Sequence, residues 1–497
     1  MAGDMVSWSD YDSLGGMGGM NVQGGVLQGG LSSSGDVDAL NKALAAGSDQ
    51  DNPGAAPGEG FPLRTESLDE TLFTTTYRAK DVKFWKMLYK DPAYNTVEEY
   101  NRLDEYGAGD AIFNEEGDLP VEDDSEYSRQ YTTIKFMGTT RRVTHVATVV
   151  RTAHGAAVAR ETVSGTMFLL RQLERALFAG DSDLVSVQFD GLEKLLINAY
   201  GSTVLDDGAL SGYENDLVID CRGNPLTEDH IADLSERIIA EPNYGQPSDL
   251  WSTTGVLKDL SKIMYPKERV NLPAPVNGQA GVAIKSIVTP FGTIGLNYDI
   301  FQPDSKIAGS AVGKAALRPA APTLGAPTSP AYAGSDTNYW TSTYAGVYFY
   351  KVVAGSRYGR SAATTSSAVT VSTDDQVSIG VTDNGPNTSY FEVYRSDLGG
   401  AASTCRSIMR VARSGATQTI VDLNRFLPNC SKGYMLSQQS DVLKWKQLAP
   451  FTRIPLATID ASVRWMQLLY GALQIMKPGY NGMFINIGKL ATGANAA

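Results

Sequence analysis

The composition of this 497-residue chain changes abruptly at two points, after Leu317 and after Ser437. Between them, short runs of β-branched and aromatic residues alternate with turn residues, and charged helical patterns disappear. Such spacing over about 120 residues is typical of an immunoglobulin-like β-sandwich. The helical style resumes after Ser437, so we predict that residues 318–437 form an all-β sandwich inserted into one discontinuous domain. The predicted strands are 344–355, 362–371, 376–382, 388–395, 407–412 and 418–422.

The flanking sequence carries patterns of another kind. The run ETVSGTMFLLRQLERALFAGD, residues 161–181, predicts a helix that ends near Gly180, because its apolar residues recur at helical spacing. These apolar residues are Val163, Met167, Leu170, Leu173 and Leu177.

Further elements are predicted between residues 226 and 301. Helices are indicated by LTEDHIADLSERIIAE from residue 226, with Thr227 as its N-cap, and by PSDLWSTTGVLKDLSKIMYP from residue 247. The run GVAIKSIVTPFGTIGLNYDIF alternates like two strands that meet at a turn at Gly292. The predicted fold class is therefore α+β, with residues 161–317 and 438–497 belonging to the host domain.

The first 128 residues are predicted to hold no core of their own. Residues 1–60 are rich in Gly, Met and Ser and carry eight acidic residues against one basic residue, Lys42, which favours a flexible segment. Residues 61–128 have short helical patterns on either side of Pro92, followed by an acidic run, and predict an extended arm.

Opposite charges are segregated into two adjacent blocks. Ten acidic residues lie between Asp104 and Glu126 without a Lys or Arg, and only basic charges lie between Arg129 and Arg160. The basic block is rich in β-branched residues and contains MGTTRR, so we predict an extended β-hairpin over residues 129–160 that turns there. Such blocks suit contacts between subunits, but they equally suit two solvated faces. The candidate intersubunit contacts are Arg129, Lys135, Arg141, Arg142, Arg151, Glu115, Glu116, Glu122, Asp123 and Asp124.

The sequence has no motif of an enzyme or of a cofactor site. The three histidines are scattered without a second ligand at metal spacing, and there is no nucleophile elbow, phosphate loop or dinucleotide fingerprint. The acidic run VEDDSE lacks the spacing of a calcium loop. Three cysteines are too few for a disulfide framework, although pairing of Cys405 with Cys430 stays open. We predict no catalytic, metal or cofactor site.

The overall charge and hydropathy restrict the partners. A formal net charge of −13 disfavours sequence-independent binding to nucleic-acid phosphates. The chain has no apolar run long enough to cross a bilayer, and its first thirty residues lack the regions of a secretory signal. We therefore expect a protein that folds in a cytoplasm and does not contact a membrane.

The order of arm, hairpin, helix and strands resembles that of tailed-phage major capsid proteins of the Hong Kong 97 type. Residues 189–192, FDGL, are similar to a word in one branch of these capsids. TPFGTIGLNYDIF, LAPFTRIPLAT and YGALQIMKPGYNGMFINI resemble the final strands of that branch. The resemblance covers residues 61–317 and 438–490, and its hairpin and helix would be the family's extended loop and spine helix. Within the insertion, YAGVYFYKVVAGSRYGRS and YFEVYRS resemble fibronectin type III or immunoglobulin-like modules.

The resemblance implies a structural protein of the virion capsid, without enzymatic activity, that assembles in the host cytoplasm. Hexamers and pentamers of the chain would form an icosahedral or prolate shell around packaged double-stranded DNA, which is not bound sequence-specifically. Peripheral and axial domains would flank the spine helix, with the sandwich as a surface decoration. Portal, scaffolding or cementing proteins are possible partners, and Lys135 would be a candidate donor for the covalent crosslinks of some relatives. An encapsulin-like nanocompartment shell and a carbohydrate-binding adhesin are the alternatives.

Overall fold

The computed structural model divides the chain into two compact units, Met1–Phe73 and Thr74–Ala497. In the first unit, strands β1 (Asn21–Gln23) and β2 (Val26–Gln28) form an antiparallel pair. The rest of the predicted N-terminal segment lies outside the described residues. The structure describes residues 21–23, 26–28, 75–107, 124–150, 155–200, 217–241, 243–268, 284–334, 337–457 and 460–490.

The second unit combines helices and strands, which confirms the α+β class. Its helices are α1 (Phe84–Met87), α2 (His145–Val149), α3 (Ala157–Ala179), α4 (Leu192–Tyr200), α5 (Glu228–Ile239) and α6 (Thr254–Glu268). The strands up to Tyr298 are β3 (Tyr89–Pro92), β4 (Val97–Glu105), β5 (Glu126–Thr133), β6 (Lys135–Thr144), β7 (Val218–Asp220), β8 (Asp249–Ser252), β9 (Ser286–Thr289) and β10 (Gly292–Tyr298).

Later strands fall into two groups. Short strands follow one another up to residue 422: β11 (Val312–Gly313), β12 (Thr323–Leu324), β13 (Gly346–Tyr348), β14 (Tyr350–Ser356), β15 (Gly359–Arg360), β16 (Thr364–Thr365), β17 (Val369–Val371), β18 (Val377–Thr382), β19 (Tyr390–Arg395), β20 (Arg406–Ala412) and β21 (Thr417–Asp422). The chain ends with β22 (Ser431–Leu436), β23 (Leu443–Pro455), β24 (Ser462–Ile475) and β25 (Gly482–Ile487).

Helix α3 confirms the helix predicted over residues 161–181, although it begins earlier, at Ala157. Leu169, Leu173 and Leu177 are buried at helical spacing, whereas Val163 is exposed. Gly180 ends the helix in an extended conformation, and a side chain there would collide with the carbonyl oxygen of Phe189. The glycine therefore serves a close approach of two backbone segments.

A six-stranded sheet in the order β7-β25-β22-β8-β10-β9 forms one side of the main core. Trp251 of β8 packs against Phe84 of α1 with their ring centroids 5.1 Å apart, and Phe84 also contacts Phe178 of α3 at 4.9 Å. The arm is thus part of the core. The predicted strand pair around Gly292 is confirmed, since β9 and β10 pair antiparallel and Gly292 has a φ of 144°.

A four-stranded sheet in the order β3-β23-β24-β6 packs one face against α3. Its buried residues Trp445, Leu469 and Leu473 join the same core. Strand β3 pairs parallel with β23, so the arm is also bound into this sheet.

The β-hairpin predicted over residues 129–160 is wrong. Strand β6 runs straight through MGTTRR and pairs with β24 from Lys135 to Thr144, while β5 pairs with β4 instead. Gly138 does not turn the chain: it lies against Leu468 of β24, where a side chain would collide with Leu468 Cδ2. The hairpin of the structure is β4–β5, and the acidic run lies in sequence between its two strands.

The two predicted helices between residues 226 and 266 have different outcomes. Helix α5 is confirmed, and the Thr227 side chain accepts a hydrogen bond from the backbone N–H of His230 as its N-cap. The prediction from residue 247 is wrong at its start, because residues 249–252 form β8 and the helix begins only at Thr254. Pairing with β22 and β10 overrides the local helical pattern there.

The all-β region, which we define as residues 306–428, has its own core. Its sheets have the orders β11-β15-β14-β19-β20, with β16 on β14, and β12-β18-β21, and β13 pairs with β17. Trp340, Tyr350, Val352 and Phe391 are fully buried between them. The strands predicted here from alternation are confirmed, with the first two, 344–355 and 362–371, each divided into shorter pieces. That this region is an inserted domain stays a prediction.

The predicted boundaries of the insertion, 318 and 437, are corrected at both ends. Strand β11 already pairs with β15 of the all-β region, and β22 belongs to the six-stranded sheet, between β25 and β8. The backbone N–H of Asn429 donates a hydrogen bond of 3.0 Å to Ser305 Oγ. The chain therefore leaves and re-enters the rest of the fold at neighbouring points.

Candidate assembly surfaces

One face of the β4–β5 hairpin is open to solvent along its whole length. Side chains alternate between two faces in a strand, and every second residue of β4 and β5 is exposed. Tyr127 and Tyr131 are each 73% exposed, and Val97 and Leu103 lie on the same face. We call this the outer face; its residues are Val97, Glu99, Asn101, Leu103, Tyr127, Arg129, Tyr131 and Thr133.

The opposite face of the hairpin is attached to the body of the protein. The Tyr100 hydroxyl donates to the carbonyl oxygen of Ile475 at 3.0 Å, and Gln474 Nε2 donates to Thr132 Oγ1 at 3.2 Å. Because burial disfavours the ionised phenol, the pKa of Tyr100 is raised. The hairpin is thus held on one face, and among the residues that the structure describes it lacks a cover on the other.

Four of the predicted basic contacts already have partners within the chain. Arg129 pairs with Glu99 at 2.9 Å on the outer face, and Lys135 Nζ donates to the carbonyl oxygen of Ser186 at 2.8 Å. The other two are Arg141, which lies 3.7 Å from Glu161, and Arg142, which lies 2.9 Å from Asp460. These pairs are partly or largely exposed, so solvent screens them and each is worth at most about 1 kcal/mol.

Of the remaining predicted contacts, Asp124 is exposed just before β5. Arg151, Glu115, Glu116, Glu122 and Asp123 lie outside the described residues.

A buried carboxyl group, Glu174 of α3, was missed in the sequence. Its Oε1 accepts the backbone N–H groups of Lys83 at 2.8 Å and Phe84 at 2.7 Å, and its Oε2 accepts that of Trp85 at 3.2 Å. Burial and the adjacent carboxyl group of Asp299 raise the pKa of Glu174 to about 8. At neutral pH the Glu174 carboxyl group is therefore mostly protonated.

The signal for this group is present in the sequence. Glu174 directly follows Leu173 and precedes Leu177 by three residues, so a carboxyl group falls inside the apolar stripe of the helix. Buried carboxyl groups need hydrogen-bond partners, and the arm supplies them.

The all-β region is fixed to the six-stranded sheet by polar contacts. Arg222 donates from Nη1 to the carbonyl oxygen of Asn424 at 2.8 Å, and its guanidinium lies 3.9 Å from the ring centroid of Tyr339. The side chain of Asn486 in β25 accepts the backbone N–H of Leu427 at 2.9 Å. This region is docked rather than merely tethered.

The described residues contain no group of three or more His, Cys, Asp or Glu that could hold a metal ion. Cys221, Cys405 and Cys430 are free thiols. Burial raises the pKa of Cys405 to about 11 and that of Cys430 to about 12, so both are unreactive near neutral pH. In the part of the chain that the structure describes, no helix is both long and apolar enough to span a membrane.

Comparison with known protein families identifies the family of this chain. The family model of the SU10 major capsid protein matches residues 52–326, more than half of the chain. The chain belongs to the SU10 major capsid protein family. This capsid protein therefore forms the shell of a phage virion, and the resemblance to tailed-phage major capsid proteins is confirmed.

Curated relatives agree with the family. The major capsid protein of Staphylococcus phage S25-3 is 24% identical over 431 residues, which cover 84% of this chain and 88% of the relative. The major capsid protein of Staphylococcus phage K matches with the same identity and coverage.

Solved structures that match are distant. The capsid of a native GTA particle has a TM-score of 0.44 at 8% identity, over 86% of this chain and 97% of that chain. The capsid of Myoviridae phage XM1 has a TM-score of 0.40 at 8% identity, over 85% and 96%.

Proposed function

We propose that this capsid protein assembles as hexamers and pentamers into an icosahedral or prolate shell around packaged double-stranded DNA, in the host cytoplasm. The observation that carries this proposal is the outer face of the β4–β5 hairpin. It presents Tyr127, Tyr131, Val97 and Leu103 to solvent in a single copy.

The exposed outer face of the hairpin would be covered by a neighbouring copy in a closed shell. A two-stranded hairpin is at best marginally stable in water, and an exposed aromatic row gains stability when another surface covers it. If each copy covers the hairpin of the next, the contact repeats around closed symmetry axes. Many such interfaces of moderate size then add up to a stable particle.

The all-β region is proposed to project from the shell as a surface decoration. Its separate core and the adjacent positions of Ser305 and Asn429 favour a module that leaves the shell domain undisturbed. The contacts of Arg222 and Asn486 would hold that module in a fixed orientation.

The ten predicted charge contacts are proposed to act between copies. Arg129 and Arg142 have exposed partners within the chain, and such exposed pairs exchange partners at little cost. A crosslink through Lys135 is tested on assembled particles by denaturing gel electrophoresis. A single band at the monomer mass rules it out.

The protein is proposed to have no enzymatic role and to enclose DNA without binding particular sequences. Its net charge of −13 supports the second part, because a strong grip on phosphates needs clustered basic residues. The encapsulin-like and adhesin alternatives are not favoured, because the matching family and relatives are phage capsid proteins.

Electron microscopy of the purified, expressed protein tests the proposal. We expect regular closed shells, with or without DNA inside. A monodisperse monomer at high protein concentration would contradict it. Image reconstruction of the shells then shows whether residues 306–428 lie on the outer surface.

A further inference from the structure

Strand β21 is the outermost strand of the three-stranded sheet β12-β18-β21, and among the described residues it is paired on one side only. In an antiparallel ladder, successive residues direct their N–H and C=O groups alternately to the two sides. On β18, Ser378 exchanges both backbone hydrogen bonds with Thr328, on the side away from β21. The next residue, Ile379, therefore bonds to its partner on β21, Ile420.

The free side of β21 consists of Thr417, Thr419 and Val421, and we call these three residues the open edge. Because they alternate with Ile420, their backbone groups point away from β18, and no hydrogen bond among the described residues uses those groups. The three side chains are exposed and share the outer face of the sheet. Such a row of free N–H and C=O groups is a template for one more strand.

Two other sheet edges of the all-β region are protected against pairing. Strand β20 carries Arg406 and Arg410, and a bridge from Ile307 to Arg406 covers its start. Strand β12 lies between Pro322 and Pro327, and a proline cannot donate a hydrogen bond to a ladder. The open edge contains no charged residue, proline or bulge, so none of these devices prevents a strand from pairing with it.

We propose that the open edge pairs antiparallel with the open edge of a second copy and joins their three-stranded sheets into one continuous sheet. The edge is self-complementary about Thr419, which would face its own counterpart, while Thr417 would face Val421 of the second copy. A two-fold axis then relates the two copies. Each facing pair exchanges both of its backbone hydrogen bonds, so the backbone carries the contact.

Charge favours a second copy as the occupant of the open edge. Every copy has a formal net charge of −13, so two copies approach each other with least repulsion where neither surface is charged. The open edge is uncharged, and so are its neighbours on the outer face of β18, namely Ser378, Gly380 and Thr382. The inference rests on the proposed assembly of many copies, and it gives the all-β region a role in joining them.

The first test introduces a cysteine on the open edge of the full-length chain. In Thr419→Cys the two new thiols would face each other across the two-fold axis, with Cα atoms about 5.5 Å apart, which a disulfide can span. After mild oxidation of assembled shells, we expect a band at twice the monomer mass in denaturing gels without reductant. The wild-type chain, which has only its native thiols, gives the background.

The matched control for the cysteine is Thr382→Cys. Thr382 is exposed on the same face, but it lies on β18, so its counterpart in the second copy would be at least three strand spacings away, about 14 Å. This separation is too large for a disulfide, and we expect at least about tenfold less of the dimer band.

The second test introduces a charge on the open edge. Thr419→Lys would place two like charges opposite each other, so its shells should release subunits about tenfold faster in dilute urea, with thermal unfolding of the unassembled chain unchanged. Thr382→Lys carries the same charge on the same face, and Val421→Ser leaves the edge uncharged. Shells of both controls should behave like the wild type. Mixing Thr419→Lys with Thr419→Glu chains should slow the release again, because opposite charges can then face each other.

The outcomes separate this inference from the proposed function. If wild-type shells form, while Thr419→Cys gives no more dimer than Thr382→Cys and Thr419→Lys shells are as durable as the wild type, the inference is overturned and the proposed function stands. If the wild-type chain forms no shells, the proposed function fails, and the crosslink is measured in the concentrated, unassembled chain. A dimer band there would support the open edge, and its absence would overturn the inference.

Discussion

The all-β region and the β4–β5 hairpin are both built from strands, yet they differ in whether their aromatic side chains are buried. The all-β region encloses Trp340, Tyr350 and Phe391 within its own sheets. The hairpin has no core and leaves Tyr127 and Tyr131 in solvent. One region buries its large side chains in a single copy, whereas the other keeps a row of side chains exposed.

This difference separates two kinds of substitution. Changes in the all-β core should reduce the stability of the unassembled chain. Changes on the outer face of the hairpin should leave that stability intact and act on assembly alone.

The largest effect is expected from two deletions that differ in their boundaries. Replacing residues 306–428 with a short glycine linker should leave a folded shell domain, because Ser305 and Asn429 are already hydrogen-bonded neighbours. Deleting residues 318–437 should abolish folding, because it removes β22 from the middle of the six-stranded sheet. Circular dichroism and thermal unfolding distinguish the two. A folded second variant would contradict the pairing described for β22.

The next effect concerns the buried ion pair of the all-β region. Arg395 donates to Asp422 Oδ2 at 2.7 Å, and both side chains are almost completely buried. Asp422→Ala leaves the guanidinium unpaired and should lower the free energy of unfolding by about 3–5 kcal/mol. In urea unfolding of the unassembled chain, the control Asp441→Ala, in an exposed pair with Lys477, should cost less than about 1 kcal/mol. Equal losses of unfolding free energy in both variants would show that the buried ion pair contributes no more to stability than the exposed one.

A smaller effect is expected from pH, through Glu174. Its pKa is raised from 4.5 to about 8, first by burial and then by Asp299. The protonated acid is the stabilised form, so this contribution is complete below about pH 4.5 and is lost as the pH rises through about 8. The free energy of unfolding should fall by about 2 kcal/mol between about pH 6 and about pH 9.

The matched variants for this effect lie on the same helix. In Glu174→Gln the side chain no longer titrates, so the loss at alkaline pH should largely disappear. In Glu161→Gln, which alters the partly exposed partner of Arg141, the loss should persist. A wild-type stability that stays constant up to about pH 9 would refute the raised pKa of Glu174.

The smallest effect on the unassembled chain is expected at the hairpin. Tyr127→Ser combined with Tyr131→Ser should change the free energy of unfolding by less than about 0.5 kcal/mol, because both rings are exposed. The yield of shells in electron microscopy should nevertheless fall severely. Val421→Ser, at an exposed position of the all-β region, should alter neither quantity. Normal shells from the tyrosine variant would show that the outer face is not an interface.

The sequence predicted the elements whose pattern is local. The strands between Gly346 and Asp422, helix α3 and the Gly292 turn each follow from spacing or from turn residues. The sequence did not predict the elements that depend on pairing with residues far away in the chain. Gly138 suggested a turn, but its role is to let β6 approach Leu468, more than three hundred residues later in the chain.

The candidate sites likewise depend on residues that are distant from one another in the sequence. Strand β22 continues the alternation of the strands before it, so no local signal shows that it joins β8 and β25 rather than the all-β sheets. The charge blocks were visible in the sequence, but the intrachain partners Glu161 and Asp460 were not. The cleft lined by Arg175 and Arg410 is invisible in the sequence, because these two residues are brought together only where α3 and the all-β region meet.

The parallel pairing of β3 with β23 and of β7 with β25 has a consequence during synthesis. Lys90 pairs with Trp445, and Val218 pairs with Met483, so the four-stranded and six-stranded sheets both lack strands until the last 55 residues of the chain have left the ribosome. The all-β region is synthesised before that point and contains everything needed for its own core. A nascent chain would thus fold the all-β region before the two sheets outside it are complete, and a truncated chain would lack the closed core that a shell subunit requires.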